Sequence, residues 1–188
     1  LGNGQISKGA MLRADKPGIK LFITSGPNAR FTGLRIYGGD ENIGLTANSP
    51  AITQGITTTY YTEVDNSEIF GWSQTAVQLP DGYVHHNYIH HNMRTGYGYG
   101  IYVGASQTME GVLIEANIFD WNRLSVNDSG KPGNIYEARY NLILVNTAGS
   151  AVFAISGNSS NAGDIVNVHH NTFAYLKNHT TTGGPYGC

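Results

Sequence analysis

Four side chains that could carry acid–base or ionic chemistry recur at equivalent places along the chain. His85, Glu115, Arg139 and His169 each stand two residues before an asparagine, at successive steps of 30, 24 and 30 residues. An imidazole titrates near neutral pH, a carboxylate can act as a base or an acid, and a guanidinium can clamp a carboxylate on a ligand. Brought together, these four would form a site for proton transfer on an acidic substrate.

The asparagines belong to a short repeat that must position these side chains. It reads as an apolar residue, two variable residues, Asn, a variable residue and a second apolar residue. Its clear copies are residues 84–89, 114–119, 138–143 and 168–173, and its weaker copies, which lack the Asn, are residues 31–36 and 64–69. The copies lie 20 to 33 residues apart, and self-similarity at such a period predicts the stacked units of a solenoid.

A second apolar pattern falls between the copies of the first. It alternates with period two, as in residues 76–79, 100–103 and 151–155. Each unit therefore holds about three short strand-like pieces, and no stretch shows a sustained helical period. Such coils predict an all-β parallel β-helix of about six to seven coils, with rungs roughly 4.8 Å apart. We expect one Asn of each coil to stack on the next as a ladder at a tight bend.

Stacking converts the first repeat into a map of one surface. If the apolar residue that opens each copy points inward, the next residue points outward, because strand side chains alternate. The outward row is then Thr32, Asp65, His85, Glu115, Arg139 and His169. In the catalytic interpretation His85 or Glu115 is the base or acid, Arg139 is the clamp, and His169 is the second proton carrier. The same row is also explained as a ladder of opposite charges that stabilises an exposed sheet.

The second pattern predicts an outward row without charge. This row is Thr46, Gln78, Tyr102, Ser125 and Ala154. Tyr97 and Tyr99 lie in the glycine-rich segment just before Tyr102, where they could present an aromatic edge. We predict Gln78, Tyr97, Tyr99 and Tyr102 as residues that bind a sugar by stacking and polar contacts. Plain packing of the tyrosines is the alternative.

The histidine doublets raise the question of a metal site. His85–His86 and His90–His91 lie close together in sequence, and His169–His170 repeats the doublet. Imidazole is the commonest metal-binding side chain. Adjacent residues of a strand point to opposite faces, however, so we expect that the two histidines of a doublet cannot bind the same ion. We predict no metal site and no cofactor. Binding of Ca²⁺ is the alternative that stays open, although no specific motif supports it.

The repeated Asn and the interleaved strand pieces resemble those of the right-handed parallel β-helix superfamily, which includes pectate lyases and polygalacturonases. Residues 136–142 and 163–173 also resemble a group of uncharacterised secreted β-helix repeat proteins. The resemblance implies a secreted or cell-surface protein whose partner is a polysaccharide. One hypothesis is a polysaccharide lyase or glycoside hydrolase. The other is a non-catalytic module that binds glycan or self-assembles, because residues 150–157 carry Ala and Ser where that group tends to carry His and Asp.

Composition limits the remaining function classes. Charged residues make up 13% of the 188 residues and the net charge is -2, without the basic patch of a nucleic-acid binder. The sequence contains no run of 18 apolar residues, so we expect no membrane-spanning helix. Cys188 is the only cysteine, so no disulfide within the chain is expected. We expect one domain over residues 1–188, either a piece of a longer solenoid or one that caps its ends by self-association.

Overall fold

The computed structural model describes residues 10–14, 16, 18–39, 53–106, 108, 110–146, 151–155 and 163–174. In these ranges the chain forms 19 strands of two to five residues and no helix. Glycine, asparagine and proline interrupt the apolar alternation every few residues, which keeps the strands short. The prediction of a chain built from short strands is confirmed.

The strands form three sheets in which every strand pair is parallel. Sheet A contains β1 (Met11–Arg13), β4 (Arg35–Tyr37), β7 (Glu68–Phe70), β10 (Tyr88–His90), β13 (Ile118–Asp120), β16 (Leu142–Ile143) and β19 (Thr172–Phe173). Sheet B contains β2 (Lys20–Ile23), β5 (Gln54–Thr57), β8 (Thr75–Leu79), β11 (Tyr99–Val103), β14 (Leu124–Asp128) and β17 (Phe153–Ile155). Sheet C contains β3 (Arg30–Thr32), β6 (Thr62–Asp65), β9 (Gly82–His85), β12 (Val112–Glu115), β15 (Ile135–Arg139) and β18 (Ile165–His169).

The order of the sheets along the chain defines the coil. After β1 the chain visits sheets B, C and A in turn, and it does so six times within the described ranges. Each coil therefore contributes one strand to each sheet. This is an all-β parallel β-helix with three strands per coil and with the predicted number of coils.

The core lies between the three sheets, and alternation decides which residues enter it. The inner column of sheet C is Phe31, Val64, Val84, Ile114, Ala138 and Val168. The middle members are completely buried, as are Ile89 and Phe119 of sheet A and Val77 and Ile101 of sheet B. Full burial of each such side chain stabilises the fold by about 1.5–3 kcal/mol relative to exposure.

A ladder of asparagines fills the corner between sheets C and A. Each side-chain amide donates from Nδ2 to Oδ1 of the next member, over 3.0, 3.1 and 2.9 Å along the series Asn87, Asn117, Asn141 and Asn171. Each acceptor Oδ1 also accepts the backbone N–H of the preceding ladder residue. Ser67 continues the ladder, because its Oγ accepts the backbone N–H of Leu34 over 3.1 Å. The Asn ladder predicted from the sequence is confirmed.

The residue before each ladder position turns the chain. Its φ is positive in five successive coils, between 50° and 54°, at Asn66, His86, Ala116, Tyr140 and His170. A left-handed conformation costs a non-glycine residue roughly 1–2 kcal/mol, which the hydrogen bonds of the ladder offset. The regular alternation of strand side chains therefore ends one residue before the ladder.

A second, shorter ladder lies between sheets A and B and was not predicted. Nδ2 of Asn92 donates to Oδ1 of Asn122 over 2.7 Å, and Oδ1 of Asn92 accepts the backbone N–H of Trp72 over 2.9 Å. Here too a left-handed residue precedes each asparagine, namely His91 and Trp121. The sequence signal is an Asn five residues after a member of the first ladder, since Asn92 and Asn122 follow Asn87 and Asn117 at that spacing.

Candidate functional site

The predicted charged row lies in register on the outer face of sheet C. Thr32, Asp65, His85, Glu115, Arg139 and His169 are successive Cα partners across the six strands. The four predicted catalytic residues therefore share one face on consecutive rungs. Their chemistry depends on which partners their polar atoms have.

Glu115 is held by two neighbours. Its Oε1 accepts a hydrogen bond from Nε of Arg139 over 3.0 Å, and its Oε2 accepts one from the hydroxyl of Tyr83. The Tyr83 hydrogen bond and then the Arg139 guanidinium lower the pKa of Glu115. Burial and the Glu115 carboxylate raise the pKa of Tyr83 to about 12. At neutral pH Glu115 is therefore a carboxylate and has no proton to donate. Each of its oxygens already accepts a hydrogen bond, and its lowered pKa makes it a weak base.

The two histidines of the row bond to glutamates that the sequence analysis missed. Nε2 of His85 lies 3.0 Å from Oε1 of Glu63, and Nε2 of His169 lies 3.1 Å from Oε1 of Glu137. Glu137 Oε1 also accepts from Nη1 of Arg139 over 2.7 Å. Both glutamates stand two residues before a member of the row, and alternation places such residues on the same face. That spacing is the signal that could have found them.

Asp65 anchors one end of the row. It is completely buried, and the Arg30 guanidinium donates to both of its carboxylate oxygens, over 3.1 and 3.0 Å. The hydrogen bond from Arg30 is the main cause that lowers the pKa of Asp65 to about 2. Ligand atoms of Glu63, Asp65 and His85 lie within 4.8 Å of one another, as a metal would require. Arg30 already supplies the positive charge there, which disfavours a cation bound by Asp65.

The geometry of the histidine doublets corrects the sequence analysis. The two Nδ1 atoms lie 2.8 Å apart in His85–His86, 2.7 Å in His90–His91 and 2.5 Å in His169–His170. The expectation that the rings of a doublet point to opposite faces is therefore wrong. The first histidine ends a strand, but the second adopts the left-handed conformation, with φ of 53° in all three doublets, so the alternation does not extend to it.

A cleft of about 310 Å³ lies on the outer face of sheet B. Its lining residues are Lys20, Gln54, Gln74, Thr75, Gln78, Tyr97, Tyr99, Tyr102 and Asn127. All four predicted sugar-binding residues, Gln78, Tyr97, Tyr99 and Tyr102, belong to this lining. Three phenol rings and four carboxamides thus line one concave space. Gln74 and Gln78 are the half-buried carboxamides open to a ligand, because Asn127 is completely buried and Gln54 is 5% exposed.

The tyrosines and amides of the cleft are ordered by contacts with one another. The rings of Tyr99 and Tyr102 stack with centroids 5.7 Å apart, and Tyr97 meets Tyr99 edge-on at 6.4 Å. Nε2 of Gln54 donates to Oε1 of Gln78 over 2.9 Å. Burial raises the pKa of Tyr99, so its hydroxyl stays protonated at neutral pH. Lys20 is the only residue of the lining with a charge at that pH.

The row that lines the cleft differs in part from the predicted one. Gln78, Tyr102 and Ala154 lie in it as expected, but Asn127 is the Cα partner of Tyr102. Ser125 stands two residues earlier and is completely buried. The prediction was wrong by two residues, because the spacing between the corner and the row of sheet B varies: Asn92 stands ten residues before Tyr102, whereas Asn122 stands five residues before Asn127. The Cα partner of Gln78 in the preceding coil is Thr57, so the prediction of Thr46 at this place of the row is wrong; Thr46 itself lies outside the described residues.

The charged row and the cleft are carried by different sheets. The cleft is lined by residues of sheet B and of the segments that lead into it, and it contains neither a carboxylate nor an imidazole. The four predicted catalytic residues all lie on sheet C. A ligand held between the tyrosines is therefore not in front of the acids and bases of the row.

Comparison of the chain with protein-family models, with curated proteins and with solved structures finds no match. In the part of the chain that the structure describes, no helix is long and apolar enough to cross a membrane. The fold rests on the sheets, their register and the Asn ladder, and the superfamily resemblance stays a prediction.

Proposed function

We propose that this protein binds extracellular polysaccharide in the cleft on sheet B. The observation that carries the proposal is the convergence of three tyrosines, Tyr97, Tyr99 and Tyr102, with the half-buried carboxamides of Gln74 and Gln78 around about 310 Å³. Aromatic rings offer flat apolar faces to sugar rings, while carboxamides both donate to and accept from hydroxyl groups. A concave site with a few convergent polar groups is the usual form of a small-molecule site. The resemblance to secreted β-helix proteins that act on polysaccharides supports the same ligand class.

Binding without cleavage is the form of this function that the contacts favour. The lining of the cleft holds no carboxylate or imidazole for proton transfer. On sheet C, Glu115 bonds to Tyr83 and Arg139, and the two histidines of the row bond to glutamates. These pairings support the charged-ladder interpretation of the row. A lyase or hydrolase that uses His85, Glu115, Arg139 and His169 is the competing proposal.

The test is binding to a panel of neutral and acidic polysaccharides by affinity electrophoresis. Tyr102→Ala should weaken binding at least about fivefold, which corresponds to roughly 1 kcal/mol for the loss of one stacked ring. Tyr140→Ala is the matched control, because Tyr140 is 57% exposed and does not line the cleft. Equal effects of the two variants would argue against the cleft.

The same polysaccharides also separate binding from cleavage. Absorbance at 235 nm reports unsaturated ends from a lyase, and reducing-sugar release reports hydrolysis. We expect neither signal. Turnover that disappears in Glu115→Ala, with the fold retained, would instead establish the enzyme on sheet C.

A further inference from the structure

The three histidine doublets share a second feature. In each doublet the Nε2 atom of the first ring lies near a glutamate carboxylate, at 3.0 Å from Glu63 for His85, 3.3 Å from Glu68 for His90 and 3.1 Å from Glu137 for His169. The glutamate comes from a neighbouring coil, and the two Nδ1 atoms face each other on the opposite side of the first ring. A strand end, a left-handed corner and a stacked glutamate together produce this arrangement three times.

The glutamate determines the chemistry of the facing nitrogens. A carboxylate beside Nε2 accepts the proton of that nitrogen, so the lone pair of the neutral first ring lies on Nδ1. Two facing Nδ1 atoms then hold either one proton or one cation between them. A carboxylate behind the ring is also the arrangement that orients metal-binding histidines and makes them more basic.

The distance between the nitrogens of His85 and His86 suits an ion. Two nitrogens bound at 2.0–2.1 Å to one metal ion lie about 2.9–3.3 Å apart, depending on whether the angle is square or tetrahedral. The separation in His85–His86 is 2.8 Å. A shift of a few tenths of an ångström would admit the ion, and the second ring can move because His86 is exposed.

Charge favours His85–His86 over the doublet at His169–His170. His85 lies in register between Asp65 and Glu115, and its ring bonds to Glu63, so three carboxylates surround it. Two guanidiniums offset them in part, because Arg30 bonds to Asp65 and lies 3.4 Å from Glu63, and Arg139 bonds to Glu115. His169 is instead the Cα partner of Arg139, whose positive charge opposes a second cation.

Access separates His85–His86 from the doublet at His90–His91. The first rings are covered alike: the His85 side chain is 13% exposed and stacks on Tyr83 with centroids 3.9 Å apart, and the His90 side chain is 10% exposed and stacks on Tyr88 at 4.1 Å. The His91 ring stacks against Trp121. The second rings differ, because His86 is exposed whereas His91 is half-buried beneath this contact, which leaves less room there for the waters that complete the shell of a two-histidine site.

We propose that His85 and His86 bind one divalent transition-metal ion through their two Nδ1 atoms, with Glu63 orienting His85 and water in the remaining positions. Imidazole nitrogens select Zn²⁺, Ni²⁺ or Cu²⁺, whereas Ca²⁺ and Mg²⁺ require oxygen ligands. The site differs from the cluster that includes Asp65, because Arg30 occupies the oxygens of that residue. It lies on sheet C and does not depend on the glycan cleft.

The test uses tag-free protein that has been treated with a chelator and then titrated with Cu²⁺ in a calorimeter. His86→Ala should weaken the tightest ion at least tenfold and remove the second imidazole nitrogen from the electron paramagnetic resonance spectrum. Glu63→Gln should weaken that ion by about 10–100-fold, as for other residues that orient a metal ligand. Alanine is tolerated at this corner, because Ala116 occupies the same place one coil later with φ of 53°.

The matched control is His170→Ala, which removes the second ring of another doublet at the same corner. It should bind Cu²⁺ as the wild type does. If His86→Ala also binds as the wild type does, the doublet holds a proton and the proposal is wrong. Equal losses in both variants would overturn the assignment to His85–His86. Should His86→Ala fail to fold by circular dichroism, His86→Asn takes its place, since Asn66 occupies the equivalent corner one coil earlier.

Discussion

The ladder residue Asn117 allows a quantitative test of what holds the coils together. Its side chain is buried, with 1% of the residue exposed. Oδ1 accepts the backbone N–H of Asn87 over 3.1 Å and its side-chain amide over 3.0 Å. Nδ2 donates to the carbonyl of Val84 over 2.8 Å and to Oδ1 of Asn141 over 3.1 Å. Asn117→Ala would remove all four hydrogen bonds and add none.

The expected loss follows from the groups that stay behind. Two N–H donors of Asn87 would lose their acceptor in a buried corner, and each buried donor without a partner costs about 1–3 kcal/mol. Asn117→Ala should therefore lower the free energy of unfolding by about 2–6 kcal/mol. Asn117→Ser should cost about half as much, because Ser67 occupies an equivalent position and its Oγ still accepts a backbone N–H.

The measurement is urea unfolding followed by far-ultraviolet circular dichroism and by tryptophan fluorescence. The two probes must report the same transition for each variant, and the m-value must be the same in all variants, since a solenoid can unfold unit by unit. Asn171→Ala is the control, because Asn171 accepts the same pair of hydrogen bonds but is only half-buried, and water can replace the lost partner. A loss below about 1 kcal/mol for Asn117→Ala at an unchanged m-value would refute the argument that buried amide bonds stabilise the stack.

Three further results are expected. Glu115→Ala should lower the free energy of unfolding, measured in urea, by under about 1 kcal/mol, as for other partly exposed ion pairs. A larger loss would show that the hydrogen bond between Glu115 and Tyr83 is stronger than an ordinary surface contact. Burial lowers the pKa of His90 to about 4 from an ordinary 6.5. Between these pH values the unfolded chain binds more protons than the folded chain, so the free energy of unfolding should fall as the pH decreases from 6.5 to 4. His90→Gln should flatten that decline in thermal melts, and an unchanged profile would exclude His90 as its cause. Lys20→Gln should weaken electrophoretic retention by a uronate polymer at low salt but not by a neutral polymer, and equal effects on both would remove the Lys20 charge from recognition.

The register of sheet C could be predicted because the sequence marks it twice in each coil. An apolar residue such as Val84 or Ile114 fixes the inward face, and Asn87 or Asn117 fixes the corner three residues later. A slip of one residue would expose every apolar residue of the column, so the pattern admits one alignment. The Asn residues before sheet B stand at an unequal distance from its strands, with Asn92 seven residues before Tyr99 and Asn122 two residues before Leu124. The two-residue error at Ser125 therefore kept the face of the strand and changed the partner.

The partners of the charged row could not be predicted from the row alone. Glu63, Tyr83 and Glu137 stand two residues before members of the row and lie on the same face, but they do not belong to the repeated position that defines the row. The structure shows that the oxygens and ring nitrogens of the row bond mainly to these residues. A carboxylate with both oxygens occupied differs chemically from a free one, and only the contacts distinguish them. The sequence could therefore predict which residues meet, but not whether a proton acceptor remains available.

The left-handed corner gives adjacent residues a relation that neither strand nor helix provides. Within a strand, neighbours point to opposite faces, but the side chains of the two residues before the ladder position meet in four of the coils that have this corner. The Asn66 amide donates to the Asp65 carboxylate, and the Arg139 guanidinium lies 6.0 Å from the centroid of the Tyr140 ring. His85–His86 and His169–His170 extend the same rule to ring nitrogens. The corner is repeated in five successive coils. Any two metal-binding or ion-pairing residues placed there would act as a unit. A change of sequence at this dipeptide therefore changes the surface chemistry of the coil most directly.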